Sequence, residues 1–125
     1  MLAQASIVCL VATKNPKAAR HFYEDTLGLR LTEGGPFALV FDANGVMLRI
    51  QKVRDLTPAQ HTALGLNVAD IRSEIAALSA KGIVFQRFDG MPQDEQGIWK
   101  SPAGVLVAWF SDPDGNLLSL AQWSD

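Results

Sequence analysis

The chain has 125 residues, 48% of them hydrophobic and 19% charged, with a formal net charge of −2. That length suits one domain able to bury about two thirds of its unfolded surface, and the charge leaves no basic footprint for a phosphate backbone, which argues against nucleic acid. Cys9 is the only cysteine; it excludes an intrachain disulfide and a thiolate zinc cluster, fits a reducing cytoplasm, and reads as a buried structural thiol.

The opening stretch, MLAQASIVCLVATKN, has no basic leader before its apolar run, and that run is far shorter than the roughly 20 residues of a membrane span. A cytoplasmic chain with no membrane partner is expected. SIVCLVAT (Ser6 to Thr13) reads as a β-branched strand. The helix after it has Asn15 as N-cap, Pro16 at the first helical position and Gly28 as its stop, with Ala19, Phe22, Tyr23, Thr26 and Leu27 forming an apolar stripe. PFALVFD and VMLRIQKV flank Ala43-Asn44-Gly45 and read as a hairpin. HTALGLNVAD then gives a strand ending at the cap Asp70, followed by a helix with Ile71, Ile75 and Leu78 on one face and a stop at Gly82.

This second half repeats the grammar of the first. The caps lie 55 residues apart and the stop glycines 54, whereas the hairpin glycines Gly45 and Gly115 are 70 apart. The second module therefore carries about 16 extra residues, placed in DGMPQDEQGIWKSPAG (Asp89 to Gly104), which reads as a loop with at most one short strand. Such an insert serves either as a binding loop or lid, or as plain surface.

Two motifs stand out in this plan: HFYEDTLGL (His21 to Leu29), an aromatic pair followed by Leu-Gly, and SDPDGNLLSL (Ser111 to Leu120), a tight turn leading into a strand. Together, over nearly the whole chain, they resemble the vicinal oxygen chelate superfamily, which includes glyoxalases, extradiol dioxygenases, and fosfomycin and bleomycin resistance proteins. The resemblance implies an α+β fold of two tandem βαβββ modules, about 5–58 and 59–125, in a single domain. Their strands would form a curved mixed sheet around a concave cavity, with the helices on the convex face. Homodimers are common in that family. It also implies one divalent metal, held by histidine and glutamate from the first and last strand of each module.

Counting from the caps and turns places those four metal positions at Val8, Arg49, Ala63 and Ser119. Valine and alanine offer no donor atom, serine hydroxyl is a poor ligand, and arginine has no lone pair to give. His61 lies two residues before Ala63, so strand alternation puts both on one face, but no Asp or Glu lies in 46–52 or 117–123 to complete a site. No metal and no other cofactor is expected. His21, on the helix, is read as solvent-facing.

Taking the turn after Asp112 as type I with a glycine bulge sets Trp109 opposite Ser119 and Val107 opposite Ala121. The same geometry in the first module sets Leu39 opposite Arg49 and Phe37 opposite Gln51. The expected cavity face then carries Val8, Leu10, Phe37, Leu39, Phe41, Met47, Arg49 and Gln51 from the first module. Ala63, Val107, Trp109, Leu117, Ser119 and Trp123 come from the second. Such an apolar, aromatic wall suits a ligand site or a packed core equally. A buried Arg49 needs a partner: either an anionic ligand group, with Trp109 and Trp99 stacking on its aromatic or cationic part, or a salt bridge to Asp42, Glu33, Asp94 or Glu95.

Three functions follow. The first is a metal-free binding protein similar to the bleomycin resistance branch, holding a small hydrophobic or aromatic molecule through Arg49, Trp109, Ser119, Phe37, Leu39, Met47, Gln51, His61 and Trp99. The second is a glyoxalase- or dioxygenase-type enzyme with an atypical site using His61, against which the four metal positions speak. The third is a structural or interaction module with a filled cavity.

Overall fold

Strand β1 (Val8–Thr13) delivers the chain to Asn15, whose side chain accepts the Ala18 N–H at 3.3 Å and so caps helix α1 (Pro16–Arg20). The helix then widens into a π-helical turn over His21–Thr26, with the Leu27 N–H reaching Phe22 O at 2.9 Å. Sequence periodicity predicts one regular helix here. The wider turn lets two consecutive aromatics, Phe22 and Tyr23, both be buried. Strands β2 (Arg30–Gly34), β3 (Ala38–Ala43) and β4 (Val46–Lys52) complete a four-stranded sheet of order β1-β4-β3-β2, in which β1 runs parallel to β4. One face of this sheet is covered by the helix: the Tyr23 ring lies 6.0 Å from that of Phe41, and Phe41, Leu48 and Ile50 are fully buried. Each such side chain contributes about 1.5–3 kcal/mol of burial.

The second unit repeats the plan. Strand β5 (Thr62–Asn67) leads to helix α2 (Ile71–Ala80), capped by Asp70 accepting the Ser73 N–H at 3.3 Å. Ile71, Ile75 and Leu78 are buried as their spacing predicts. Strands β6 (Trp99–Lys100), β7 (Leu106–Ser111) and β8 (Leu117–Gln122) follow, in the order β5-β8-β7-β6 with β5 parallel to β8. Leu118, Leu120, Ala108 and Phe110 form the buried face, with Phe85 against Phe110 at 5.3 Å. The structure is a computed structural model, and its described residues run from 1 to 123. They fall in two compact units, Met1–Pro58 and Ala59–Asp125, each an α+β βαβββ module with its own mixed sheet. No helix among the described residues is long and apolar enough to cross a membrane.

The two hairpins differ, and the difference corrects one expectation. In β7–β8, Asp112 O accepts the Gly115 N–H, Gly115 has φ 88°, and Trp109 pairs with Ser119 and Val107 with Ala121, as the bulged turn predicts. In β3–β4 the loop is only Asn44-Gly45, both with positive φ, closed by the pair Ala43–Val46. With no bulge the register moves by one residue, and a shift of one turns every side chain on the strand over. Arg49 therefore pairs with Val40 and Gln51 with Ala38. Leu39 and Phe41 belong to the core face instead, and Leu39 is only 4% exposed.

The insert is ordered by its own polar residues. Asp94 accepts Arg72 Nη1 from α2 at 3.1 Å and the backbone N–H groups of Gln96 and Ile98 at 3.0 Å. Gln93 bonds to Phe88, Gln86 and Gly97, and the one short strand within the insert is β6.

Candidate functional site

In each unit one sheet face is packed under the helix, and the candidate positions lie on the other. In the first unit this open face carries Val8 and Leu10 from β1, Met47, Arg49 and Gln51 from β4, and Ala38 and Val40 from β3. Arg49 stands between Leu10 on one neighbouring strand and Val40 on the other, half-buried. Its guanidinium makes no ion pair or hydrogen bond among the described residues. Of the acids expected to pair with it, Asp42 faces Arg30 at 3.6 Å and Asp94 is held by Arg72. Phe37 lies just before β3, 74% exposed, and shares a small recess with Arg49. Leu39 drops out of the candidate set because its side chain is in the core.

In the second unit the open face is built by Gly65 and Asn67 of β5, Ser119 and Ala121 of β8, and Val107 and Trp109 of β7, with Trp99 of β6 paired to Val107. A cavity of about 480 Å³ lies on this face, lined chiefly by Val105, Val107, Ala121 and Trp123 with Ser119, Asn67 and Ser101 as its polar points. That volume falls in the range of small-molecule sites. Trp123, 64% exposed, is oriented by a 2.8 Å bond from its indole N–H to Asn67 Oδ1. Further along the same strands the Trp109 ring contacts Trp99 at 6.2 Å and Phe88 edge-on at 5.4 Å, and its N–H donates to Thr62 Oγ1 at 3.2 Å. All three tryptophans of the chain thus sit in this unit.

Thr62, Asn67 and Phe88 are site residues that sequence reasoning missed. A register shift between Thr62 and Leu64 makes Ala63 the bulged residue. Simple alternation, which puts His61 and Ala63 on one face, fails there. His61 is exposed, and its ring contact is with the carbonyl of Thr62 at 3.2 Å. A bulge in a parallel pair has no local signature in HTALG; Asn67 could have been found as the polar residue closing the strand before Asp70.

The donor set does not fit a divalent metal. Val8 and Ala63 present hydrocarbon, Arg49 a cation, Ser119 a neutral hydroxyl, and the Thr62 hydroxyl is engaged by Trp109. No group of three or more His, Cys, Asp or Glu among the described residues is placed to hold a metal ion.

A family model for the glyoxalase/bleomycin resistance protein/dioxygenase superfamily matches residues 6–120. Among solved structures, a glyoxalase family protein from Bacillus anthracis superimposes with a TM-score of 0.76 at 20% identity, over 97% of this chain and 96% of that one. A lactoylglutathione lyase from Agrobacterium tumefaciens gives 0.74 at 17% identity, over 95% and 93%. A superfamily member from Sphaerobacter thermophilus gives 0.75 at 20% identity, over 98% and 99%. At these identities the likeness is one of fold. A search of curated proteins returned no match.

Proposed function

The chain belongs to the glyoxalase/bleomycin resistance protein/dioxygenase superfamily, and from that premise we propose that it is a metal-free protein that binds a small, planar, largely apolar molecule. One observation carries this reading: the open sheet face of the second unit combines an apolar cavity of about 480 Å³ with tryptophans and a few polar atoms, while the family's metal positions carry no usable donor set. Trp123 and the Trp99–Trp109 pair supply flat π surfaces, and Ser119 and Asn67 supply the sparse polar contacts that fix orientation in such sites. Binding alone asks for no titrating group, and none lines this cavity among the described residues.

An acid–base role for His61 finds no support, because its ring is exposed and, among the described residues, bonds to the neighbouring Thr62 carbonyl alone. Two measurements test the proposal together. Titration with a panel of planar aromatic compounds should give saturable quenching of tryptophan fluorescence and a rise in melting temperature. Elemental analysis of protein purified from metal-supplemented medium should find zinc, nickel and iron far below stoichiometry. Stoichiometric metal that resists chelation, or an absence of saturable quenching across the panel, overturns it.

A further inference from the structure

We propose that the open face of the first unit holds a second, separate site, for the zwitterionic head of an α-amino acid or a peptide-like molecule with an apolar side chain. A bulge creates it. In β2, Leu31 pairs with Phe41 but Glu33, not Thr32, pairs with Val40. The slipped residue, Thr32, bonds through its hydroxyl to Val40 O at 3.1 Å. Without this bulge Glu33 would face the core side; with it, Glu33 is turned onto the open face, a common use of bulges beside functional sites.

The result is one row across the sheet: Glu33 on β2, Val40 on β3, Arg49 on β4 and Leu10 on β1. Glu33 and Arg49 are two strand spacings apart, roughly 10 Å between backbones, with Val40 as the floor between them. Both line one recess of about 70 Å³, together with Phe37, Ala38 and Gly35. They do not pair with each other, and neither has an ion pair or hydrogen bond among the described residues. The nearby cation Lys52 is already committed to Gly35 O at 2.7 Å.

Arg49 alone would ask for an anion. With Glu33 across the same recess a simple anion meets repulsion on one side, and a simple cation meets it on the other. A group carrying both charges satisfies both: its carboxylate accepts from the Arg49 guanidinium and its ammonium donates to the Glu33 carboxylate. The apolar part then lies on the exposed side chains of Leu10 and Phe37, with Val40, only 6% exposed, as the floor beneath.

The test uses leucine and two analogues that each lack one charge, 4-methylpentanoate and 3-methylbutylamine. Binding is followed by NMR shifts of the Arg49 side-chain N–H and the Val40 and Leu10 methyl groups. Leucine should bind at least tenfold more tightly than either analogue. Glu33→Gln should weaken leucine tenfold and strengthen 4-methylpentanoate, whereas Arg49→Gln should remove the response to both. Equal or tighter binding of 4-methylpentanoate to the native chain, an unchanged leucine affinity in Glu33→Gln, or no leucine response at millimolar concentration overturns the proposal. These variants change exposed or half-buried side chains, and their melting curves check that the fold is kept. The tryptophan titration above reads the other unit, so either proposal can fail alone.

Discussion

Replacing Asp112 by alanine should destabilise the chain far more than replacing Asp42, its counterpart in the first hairpin. Asp112 is 6% exposed, and its carboxylate accepts three hydrogen bonds at 2.9 Å, from the N–H groups of Asp114 and Asn116 and from the Asn116 side chain. Bonds to a charged acceptor are worth about 1.5–3 kcal/mol each, and the donors left behind keep part of that loss only where water cannot reach. The Asn116 donors are buried and the Asp114 N–H is partly open, so a net loss of about 2–4 kcal/mol is expected. For a chain of this size that is a fall of roughly 8–15 °C in melting temperature. Asp42, half-buried, accepts one exposed bond from the Gly45 N–H at 3.2 Å and meets Arg30 at 3.6 Å, and its removal should cost about 1 kcal/mol or less. Urea unfolding followed by tryptophan fluorescence and by far-UV circular dichroism compares the two variants directly. Asp112→Asn keeps an acceptor for the two backbone donors but sets its amide against that of Asn116, so it should fall between. Equal losses for Asp112→Ala and Asp42→Ala, or a loss below about 1 kcal/mol for the former, would refute this account of the turn.

Phe41→Ala should cost about 3–5 kcal/mol and Leu39→Ala about 2–5, while Phe37→Ala should change unfolding free energy by no more than about 0.5. A large loss at Phe37 with little at Leu39 would contradict the register of the first hairpin. Burial pushes the Asp94 carboxyl up, but bonds from the Ile98 and Gln96 N–H groups and the Arg72 side chain outweigh it and leave its pKa below the ordinary 3.8. Its stabilisation is therefore complete above that ordinary value and is lost as pH falls through the lower folded one. Asp94→Asn should accordingly be less stable at neutral pH yet flatter across that acid window in a pH series of melting temperatures; an unchanged acid slope would count against the pinning of the insert. At Gly65 an added Cβ would lie 3.2 Å from Ser119 Oγ, which a serine rotation can relieve. Gly65→Ala should thus keep most of the fluorescence quenching by planar probes, and Gly65→Val, whose methyl groups project into the cavity, should lower probe affinity at least tenfold.

Local chemistry made much of this fold legible. The caps at Asn15 and Asp70 and the left-handed glycines Gly28 and Gly82 mark both helices where the sequence puts them. The bulged turn after Asp112 fixes the pairing of Trp109 with Ser119 from sequence alone. What sequence could not give depends on contacts made across the sheet. Asn44-Gly45 is compatible with more than one loop length, and its tight two-residue form decides the face of Leu39, Phe41 and Val40. The bulges at Thr32 and Ala63 are set by neighbouring strands, and they bring Glu33 and Thr62 into candidate sites and take His61 out of line with its strand. Arg72 with Asp94, and Gln122 Oε1 accepting the Ile71 N–H at 2.9 Å, join residues 22 and 51 positions apart, and no local pattern announces such pairs.

The same division separates the positions that hold the fold from those free to vary. In each sheet one face is tied to a helix through fully buried side chains, Phe41, Leu48 and Ile50 in one unit and Phe110 and Leu118 in the other. Substituting any of these removes burial worth several kcal/mol, a large fraction of a typical stability. Val8 and Arg49 stand on the face without that constraint, so a ligand residue there can be exchanged for hydrocarbon or a cation at little cost to folding. Ser119 is 9% exposed on its strand, beside Gly65. Its Oγ lies 3.2 Å from where a Gly65 Cβ would stand, so a side chain at position 65 would crowd it. The packed faces therefore set the fold, and a family match does not by itself say what the other faces do. The two proposals above accordingly rest on the side chains of the less constrained faces, Arg49 and Glu33 in one unit and Ser119 and the tryptophans in the other, and not on the family match.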